Sequence, residues 1–196
     1  MESISDFQSS LVEMKNVSLS MFRKGFFGIF HGSISRKIDS NKFIINKKDA
    51  IFDSLSVEDM ILLYTKKDYR WNDASSDSDI HLNIYKNIPE AKFVCYAMPA
   101  NTIAYSLVSS KIYPQDYFGY LNFKKIKIYD MKQIDDWYER APFEIYKYMI
   151  ENQTNIIVIR GYGVYAYART LYELAKNVAL LENSCKLLLL KNLINN

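Results

Sequence analysis

Short runs of strand character alternate along this chain with longer runs of helical periodicity, and that alternation confines it to the layered α/β folds. From Gly32 to Ile45 the segments Ser-Ile-Ser-Arg-Lys-Ile and Lys-Phe-Ile-Ile flank the turn-prone Asp39-Ser-Asn41, a pattern that predicts a hairpin. Met60 to Thr65 is a compact apolar run suited to a buried strand. Ser78 to Tyr85 has a cap-like start and sets Ile80, Ile84 and Tyr85 on one side of a helix. Phe93 to Ala97 reads as a strand, which Pro99 and Asn101 convert into a helix through Ile103, Ala104, Leu107 and Val108. Lys125 to Tyr129 and Asn155 to Arg160 are further strands. Between them Met131 to Gln153 is helical with an expected break near Ala141-Pro142, and Gly161 and Gly163 mark a turn.

Two amphipathic helices frame this pattern. Ser5 with Gln8 makes a capping-box signature ahead of Phe7, Leu11, Met14, Val17 and Met21, which recur at helical spacing until Gly25 and Gly28 interrupt it. Thr170 with Glu173 makes a second one ahead of Leu171, Leu174, Ala175, Val178, Leu181, Cys185, Leu188 and Leu189. Leu187 to Leu190 is apolar on adjacent faces, which suits either a subunit contact or burial in the chain's own core. No repeat, low-complexity tract or linker divides the sequence. With 196 residues, 49% of them hydrophobic, one domain over 1–196 is expected.

The 25 basic and 22 acidic side chains leave a net charge of +3, too even a balance to recruit nucleic acid or membrane through bulk electrostatics. No nucleic-acid or membrane partner is therefore expected. Cys95 and Cys185 lie far apart in apolar surroundings and read as buried free thiols, which fits a reducing, cytoplasmic setting. No stretch approaches the roughly 18–20 apolar residues of a membrane span, and the first residues carry early acids rather than an export signal.

Several segments, in order and at matching spacing, resemble the class II aldolase/adducin family. Gly32-Ser-Ile-Ser35 is similar to its G-N-V-S turn, Lys42-Phe-Ile-Ile45 to its R-F-L-I strand, and Leu55-Ser-Val-Glu-Asp-Met60 to its L-T-P-E-D-L/M segment. The stretch from Ser75 to Lys92 resembles S-S-E-x-P-M-H-x-x-I-Y-x-x-R-P-D-V-x, and Thr170-Leu-Tyr-Glu-Leu-Ala175 the helix start T-L-E-E-A. The resemblance runs from about Phe27 to about Leu188. It implies a three-layer α/β domain with a mixed, mainly antiparallel central sheet flanked by helices. It also implies zinc-dependent aldol cleavage of a sugar phosphate, or related epimerase chemistry, in a homo-oligomer, commonly a tetramer. Adducin heads share the fold as interaction modules.

The family's zinc is held by three histidines in V-V-H-T-H-P-P and L-x-N-H-G-V. The matching stretches here, Lys92 to Ala100 and Ile156 to Val164, place Tyr96, Met98 and Tyr162 at those positions. A phenol with a pKa of about 10 stays neutral at pH 7, and a thioether is a soft ligand ill-suited to zinc. No zinc or other cofactor is expected, and the three side chains are expected to fill the former metal cavity by packing. Asp77 takes the place of the family's acid/base glutamate and would be the catalytic group if activity remained; as a bare sequence feature it also suits a helix cap or a solvated surface. By the same resemblance, Gly32, Ser33, Ser75 and Ser76 keep two of three phosphate-binding elements. The third has become Asn46-Lys-Lys-Asp49, in which charge replaces small residues. His31 would lie near the same cleft, as an anion ligand or a surface residue, while His81 falls at a structural helix position. A Schiff-base lysine or a nucleophilic triad finds no support in so few histidines and no singled-out lysine. These residues predict a zinc-free relative that binds a small phosphorylated ligand or acts without catalysis, with an active sugar-phosphate lyase and an adducin-like interaction module as alternatives.

Overall fold

Side chains along the central strands alternate between two hydrophobic cores, one on each face of a single sheet. In the strand Phe93–Ala97 (β4), Val94 and Tyr96 enter one core, and Cys95 and Ala97 enter the other. The strand Ile156–Ile159 (β7) divides the same way, with Ile157 and Ile159 against Ile156 and Val158. A strand buried on both faces needs helices on both sides, which makes three layers.

The computed structural model describes residues 4–194, with side chains from residue 8 onward. The chain opens with helix α1 (Ile4–Arg23), followed by β1 (Ser33–Lys37), β2 (Lys42–Asn46), β3 (Met60–Tyr64) and α2 (Ser78–Asn87). After β4 come α3 (Ala100–Val108), β5 (Lys111–Ile112), α4 (Tyr117–Phe123), β6 (Ile126–Tyr129) and α5 (Trp137–Glu151). Beyond β7 the chain ends in β8 (Gly163–Ala168) and α6 (Leu171–Ile194). The eight strands lie in the order β3-β2-β1-β4-β8-β7-β6-β5, and each pairing is antiparallel except β6 with β7. Met14 and Met21 of α1 with Leu174, Val178 and Leu181 of α6 close one core, and Ile80 and Ile84 of α2 with Trp137 and Ile145 of α5 close the other. The expected mixed, mainly antiparallel α/β fold is therefore present.

The hairpin of β1 and β2 and most other predicted elements match in span. The capping role of Ser5 and the packing of Phe7 lie outside the described side chains. Several expectations need correction. The run from Met60 buries only Leu63 fully, because β3 is the sheet's edge strand. Helix α5 starts at Trp137 rather than Met131 and passes through Pro142 unbroken, the proline forgoing only the one N–H that would reach the Tyr138 carbonyl. The glycine turn leads directly into β8, which sequence reading did not separate from it, and β5 and α4 were likewise not anticipated.

Helix α3 has the expected span but the opposite face inward: Thr102 and Ser106 are buried, whereas Ala104, Leu107 and Val108 are exposed. Its polar side turns inward because partners wait there. The Glu182 carboxylate of α6 accepts from the backbone N–H groups of Asn101 (3.0 Å) and Thr102 (2.8 Å), and from their side chains at 2.7 and 2.9 Å. Ser106 Oγ accepts from the Gly161 N–H at 2.9 Å, and Arg160 donates to the Ser106 carbonyl at 2.7 Å, which ties α3 to the turn after β7.

The capping bond expected at Thr170 is present, with the Glu173 N–H donating to its hydroxyl at 3.2 Å. Along α6, Leu188 joins the core, while Leu187 and Leu190 are each 45% exposed. Cys95 and Cys185 are free and buried. Among the described residues no helix is long and apolar enough to cross a membrane.

Because Glu182 satisfies two otherwise orphaned N–H groups, Glu182→Ala should lower unfolding free energy by about 2 kcal/mol. Urea denaturation measures this directly, and a loss below about 0.5 kcal/mol would mean that Glu182 does not fix α3.

Candidate functional site

The start of β1, the turn after β2, the turn before α2 and the end of β4 converge at one end of the sheet. Backbone pairing brings them together: the Ser75 N–H donates to the Asn46 carbonyl at 3.0 Å, and the Lys48 N–H donates to the Asp73 carbonyl at 3.0 Å. Asn46 also locks β1 to β2, its Oδ1 accepting from the Ile34 N–H at 2.9 Å. Gly32 has φ +138°, and a Cβ there would sit 2.7 Å from the Phe27 ring, so only glycine fits. The result is a small cleft of about 80 Å³ lined by Phe30, His31, Gly32, Asn46, Lys48, Ser75, Ser76, Asp77, Tyr96 and Tyr138. Five of the residues picked from the sequence, His31, Gly32, Ser75, Ser76 and Asp77, therefore share one wall system. Ser33 does not reach the cleft surface; it lies fully buried beneath.

Asp77 stands immediately before α2, yet its carboxylate does not cap that helix. It is buried, with Oδ2 accepting from the Ser33 hydroxyl at 2.7 Å and Oδ1 from the Tyr165 hydroxyl at 2.9 Å. Burial pushes its carboxyl above the ordinary range, against the opposing pull of those two hydrogen bonds. Ser33 Oγ also lies 2.9 Å from His81 Nε2, and Ser35 Oγ lies 2.6 Å from His81 Nδ1 and 2.6 Å from the Tyr85 hydroxyl. With Ser33 donating to Asp77, Nε2 must donate to Ser33, which leaves Nδ1 to accept from Ser35. His81 is fully buried, and desolvation pushes its pKa down to about 3. This imidazole is thus a neutral spacer between two serines, in keeping with its structural reading.

The three positions matching the family's metal ligands are occupied by packed side chains. The Tyr96 ring stacks on Tyr165 with centroids 4.9 Å apart and leans on Tyr162 at 5.0 Å, and Tyr162 meets Trp137 edge-on at 6.1 Å. The Tyr96 hydroxyl donates to the Tyr162 carbonyl at 3.0 Å, and the Tyr162 hydroxyl donates to Tyr138 at 3.1 Å. Burial pushes both phenols well above their ordinary pKa. Met98 is half-buried against the same core. Gly163 makes the arrangement possible: a Cβ there would come within 2.6 Å of the Tyr96 ring and 2.7 Å of the Ala97 carbonyl oxygen. Among the described residues, no group of three or more His, Cys, Asp or Glu side chains is placed to hold a metal ion.

The family model for the Class II Aldolase and Adducin N-terminal domain matches residues 12–189. The chain belongs to this family. No curated protein matches it. Among solved structures it is similar to L-fuculose-1-phosphate aldolase from Thermus thermophilus, with a TM-score of 0.84 at 21% identity over 94% of this chain and 95% of that one. A sugar-phosphate aldolase from Thermotoga maritima superposes with a TM-score of 0.77 at 15% identity, covering 97% of each chain. YgbL from Escherichia coli does so at 0.75 and 18% identity, over 93% of this chain and 89% of its own. At such identities the likeness is one of fold. The class II aldolase scaffold is thus retained over nearly the whole chain.

Tyr165 and Tyr138 are site residues that sequence reading missed. Tyr165 lies 88 residues from Asp77, and a register assignment for β8 would have been needed to find it.

The buried His81 gives stability a defined pH dependence. An unfolded histidine takes a proton near pH 6.5, whereas folded His81 stays neutral down to about 3, so the folded state binds fewer protons in between and loses stability as pH falls through that window. Asp77 acts in the opposite sense: its raised folded pKa contributes stability that is present at low pH and lost as pH rises through that pKa. One such histidine changes stability by up to about 1.4 kcal/mol per pH unit. Between pH 6.5 and 5, His81 should therefore cost the native chain about 1.6 kcal/mol in urea denaturation, and His81→Gln should flatten that slope. Parallel slopes for the two proteins would show that His81 is not held neutral.

Proposed function

We propose that this class II aldolase relative holds no zinc and binds a small phosphorylated ligand in the His31–Asp77 cleft without cleaving it. The observation that carries this reading is the Tyr96 ring, stacked between Tyr162 and Tyr165 with its hydroxyl donating to the Tyr162 carbonyl, where the family pattern calls for an imidazole. Neutral phenols engaged in hydrogen bonds, together with a thioether, do not make a zinc donor set. Without a Lewis acid the enediolate left by aldol cleavage has no obvious stabiliser.

Support for an anion comes from the cleft lining. Lys48 supplies an ammonium, Ser76 an exposed hydroxyl and His31 an exposed ring. Asp77, at the floor, is less repulsive to an anion because burial favours its protonated form. A volume of about 80 Å³ suits a phosphate group with the rest of the ligand projecting outward. The names of the structural neighbours, a fuculose-1-phosphate and a sugar-phosphate aldolase, suggest a sugar phosphate. Exposed Tyr117, Phe118, Tyr120 and Leu121 on α4, beside Leu187 and Leu190 on α6, support the homo-oligomer that the family resemblance implies. A second reading, a metal-independent lyase or isomerase, is favoured by one observation, the cleft-lining Asp77 with its raised pKa.

Thermal melting with L-fuculose 1-phosphate and with inorganic phosphate tests the proposal. The melting temperature should rise with ligand concentration for the parent chain and not for Lys48→Ala, and no aldehyde should be released. Aldehyde release that Asp77→Asn abolishes would favour the lyase reading. No shift with either anion would leave an interaction module as the better description.

A further inference from the structure

The sheet end opposite the His31–Asp77 cleft carries a second, larger hollow of about 570 Å³. Strands β1, β4 and β8 build it together. Arg36 pairs across from Phe93 and Phe93 from Ala168, while the Lys37 N–H donates to the Lys92 carbonyl at 2.8 Å and the Lys92 N–H to the Ala168 carbonyl at 3.0 Å. Arg36, Lys37, Lys92 and Arg169 are thereby gathered from three separate stretches of chain around one concavity, with Ile38 and Phe93 as its apolar wall. Across the Asp39–Ser40 turn a smaller hollow of about 190 Å³ shares Lys37 and adds Lys42 and Lys86.

Among the described residues that line the two hollows, six are cationic and one, Asp39, is a carboxylate. That carboxylate is committed to the turn: Oδ1 accepts from the N–H groups of Asn41 and Lys42 at 2.8 and 3.1 Å, and Oδ2 lies 3.5 Å from Lys42 Nζ. Among the described residues, Lys37, Lys92 and Arg169 form no ion pair. The positive excess at this end exceeds the net charge of +3 on the whole chain, so the remainder is net negative. A solvated charged face spreads its charges and pairs them. Here like charges face a concavity with apolar walls, an arrangement that concentrates potential and attracts anions. Lys37 illustrates the strain. It is half-buried, donates to the Tyr85 carbonyl at 2.7 Å, and has its pKa pushed down by burial and by neighbouring Lys92.

We propose that this hollow is a binding site for a small molecule carrying two or more phosphate groups, distinct from the cleft at the other end of the sheet. The cations sit on different walls of a space much larger than one phosphate, so a single phosphate neutralises only part of them. The Arg169 guanidinium offers planar, paired donors that match phosphate oxygens.

Isothermal titration calorimetry on the full chain at low salt, with tripolyphosphate and separately with inorganic phosphate, tests the proposal. One tripolyphosphate per chain should bind at a tight site, at least about tenfold more tightly than inorganic phosphate binds anywhere on the chain, and added salt should weaken it. The double variant Lys92→Ala/Arg169→Ala should lose at least about tenfold in tripolyphosphate affinity, with melting confirming that it folds, and Arg169→Lys alone should lose less. Lys48→Ala, which alters the opposite cleft, should keep the tight tripolyphosphate site. The proposal is overturned by the absence of saturable binding at millimolar tripolyphosphate, by full affinity in the double variant, or by loss of binding in Lys48→Ala. The last result would assign the anion to the His31–Asp77 cleft and leave the zinc-free reading of that cleft standing.

Discussion

The antiparallel register of β4 between β1 and β8 places Ser33, Tyr96 and Tyr165 in one row across the sheet, and the rest of the cleft depends on that row. Directly opposed side chains on an antiparallel pair are about 5 Å apart, so aromatic rings at both positions are brought into stacking contact. Tyr96 and Tyr165 stack at 4.9 Å, and the absence of a side chain at Gly163 leaves room for the Tyr96 ring. The same row aims the Tyr165 hydroxyl and the Ser33 hydroxyl at the two oxygens of Asp77. Packing on one side and hydrogen bonding on the other thus come from a single alignment of backbone.

Burial then determines what this polar group can do. A carboxylate, an imidazole and four hydroxyls sit beneath the cleft, and their mutual hydrogen bonds remove the cost of unsatisfied polar atoms. The surroundings favour neutral forms throughout: the Asp77 pKa moves up, the His81 pKa moves down and the phenols move up. Such a network holds the scaffold of the cleft rigid while presenting only Asp77 to it. The cleft's cationic character comes instead from Lys48, on a turn where the family pattern has small residues.

Much of this was legible in the sequence because the relevant signals are local or carried by motif order. The strand-to-helix switch at Pro99, the helix start at Thr170 and the hairpin around Asp39-Ser-Asn41 match the structure, and His31, Gly32, Ser75, Ser76 and Asp77 share one cleft. What escaped notice depended on tertiary partners. Thr102 and Ser106 turn inward because Glu182, some 80 residues later, and Gly161 supply their hydrogen bonds, and helical periodicity alone favours the apolar face. Met60 to Leu62 read as buried, but sheet order leaves them on an edge. Ser33 matches a phosphate-binding position of the family pattern, yet its place in β1 directs it inward to Asp77 and His81. Tyr165 was invisible because its strand begins with the glycine that marks the preceding turn.

The most direct test is a zinc titration of the purified chain against a chromophoric chelator of known affinity. With Tyr96, Met98 and Tyr162 packed as they are, the chelator should keep its zinc and no stoichiometric competition should be seen. Transfer of one zinc per chain to the protein, lost when Tyr96 and Tyr162 are changed to phenylalanine, would contradict the filled-cavity structure of this site.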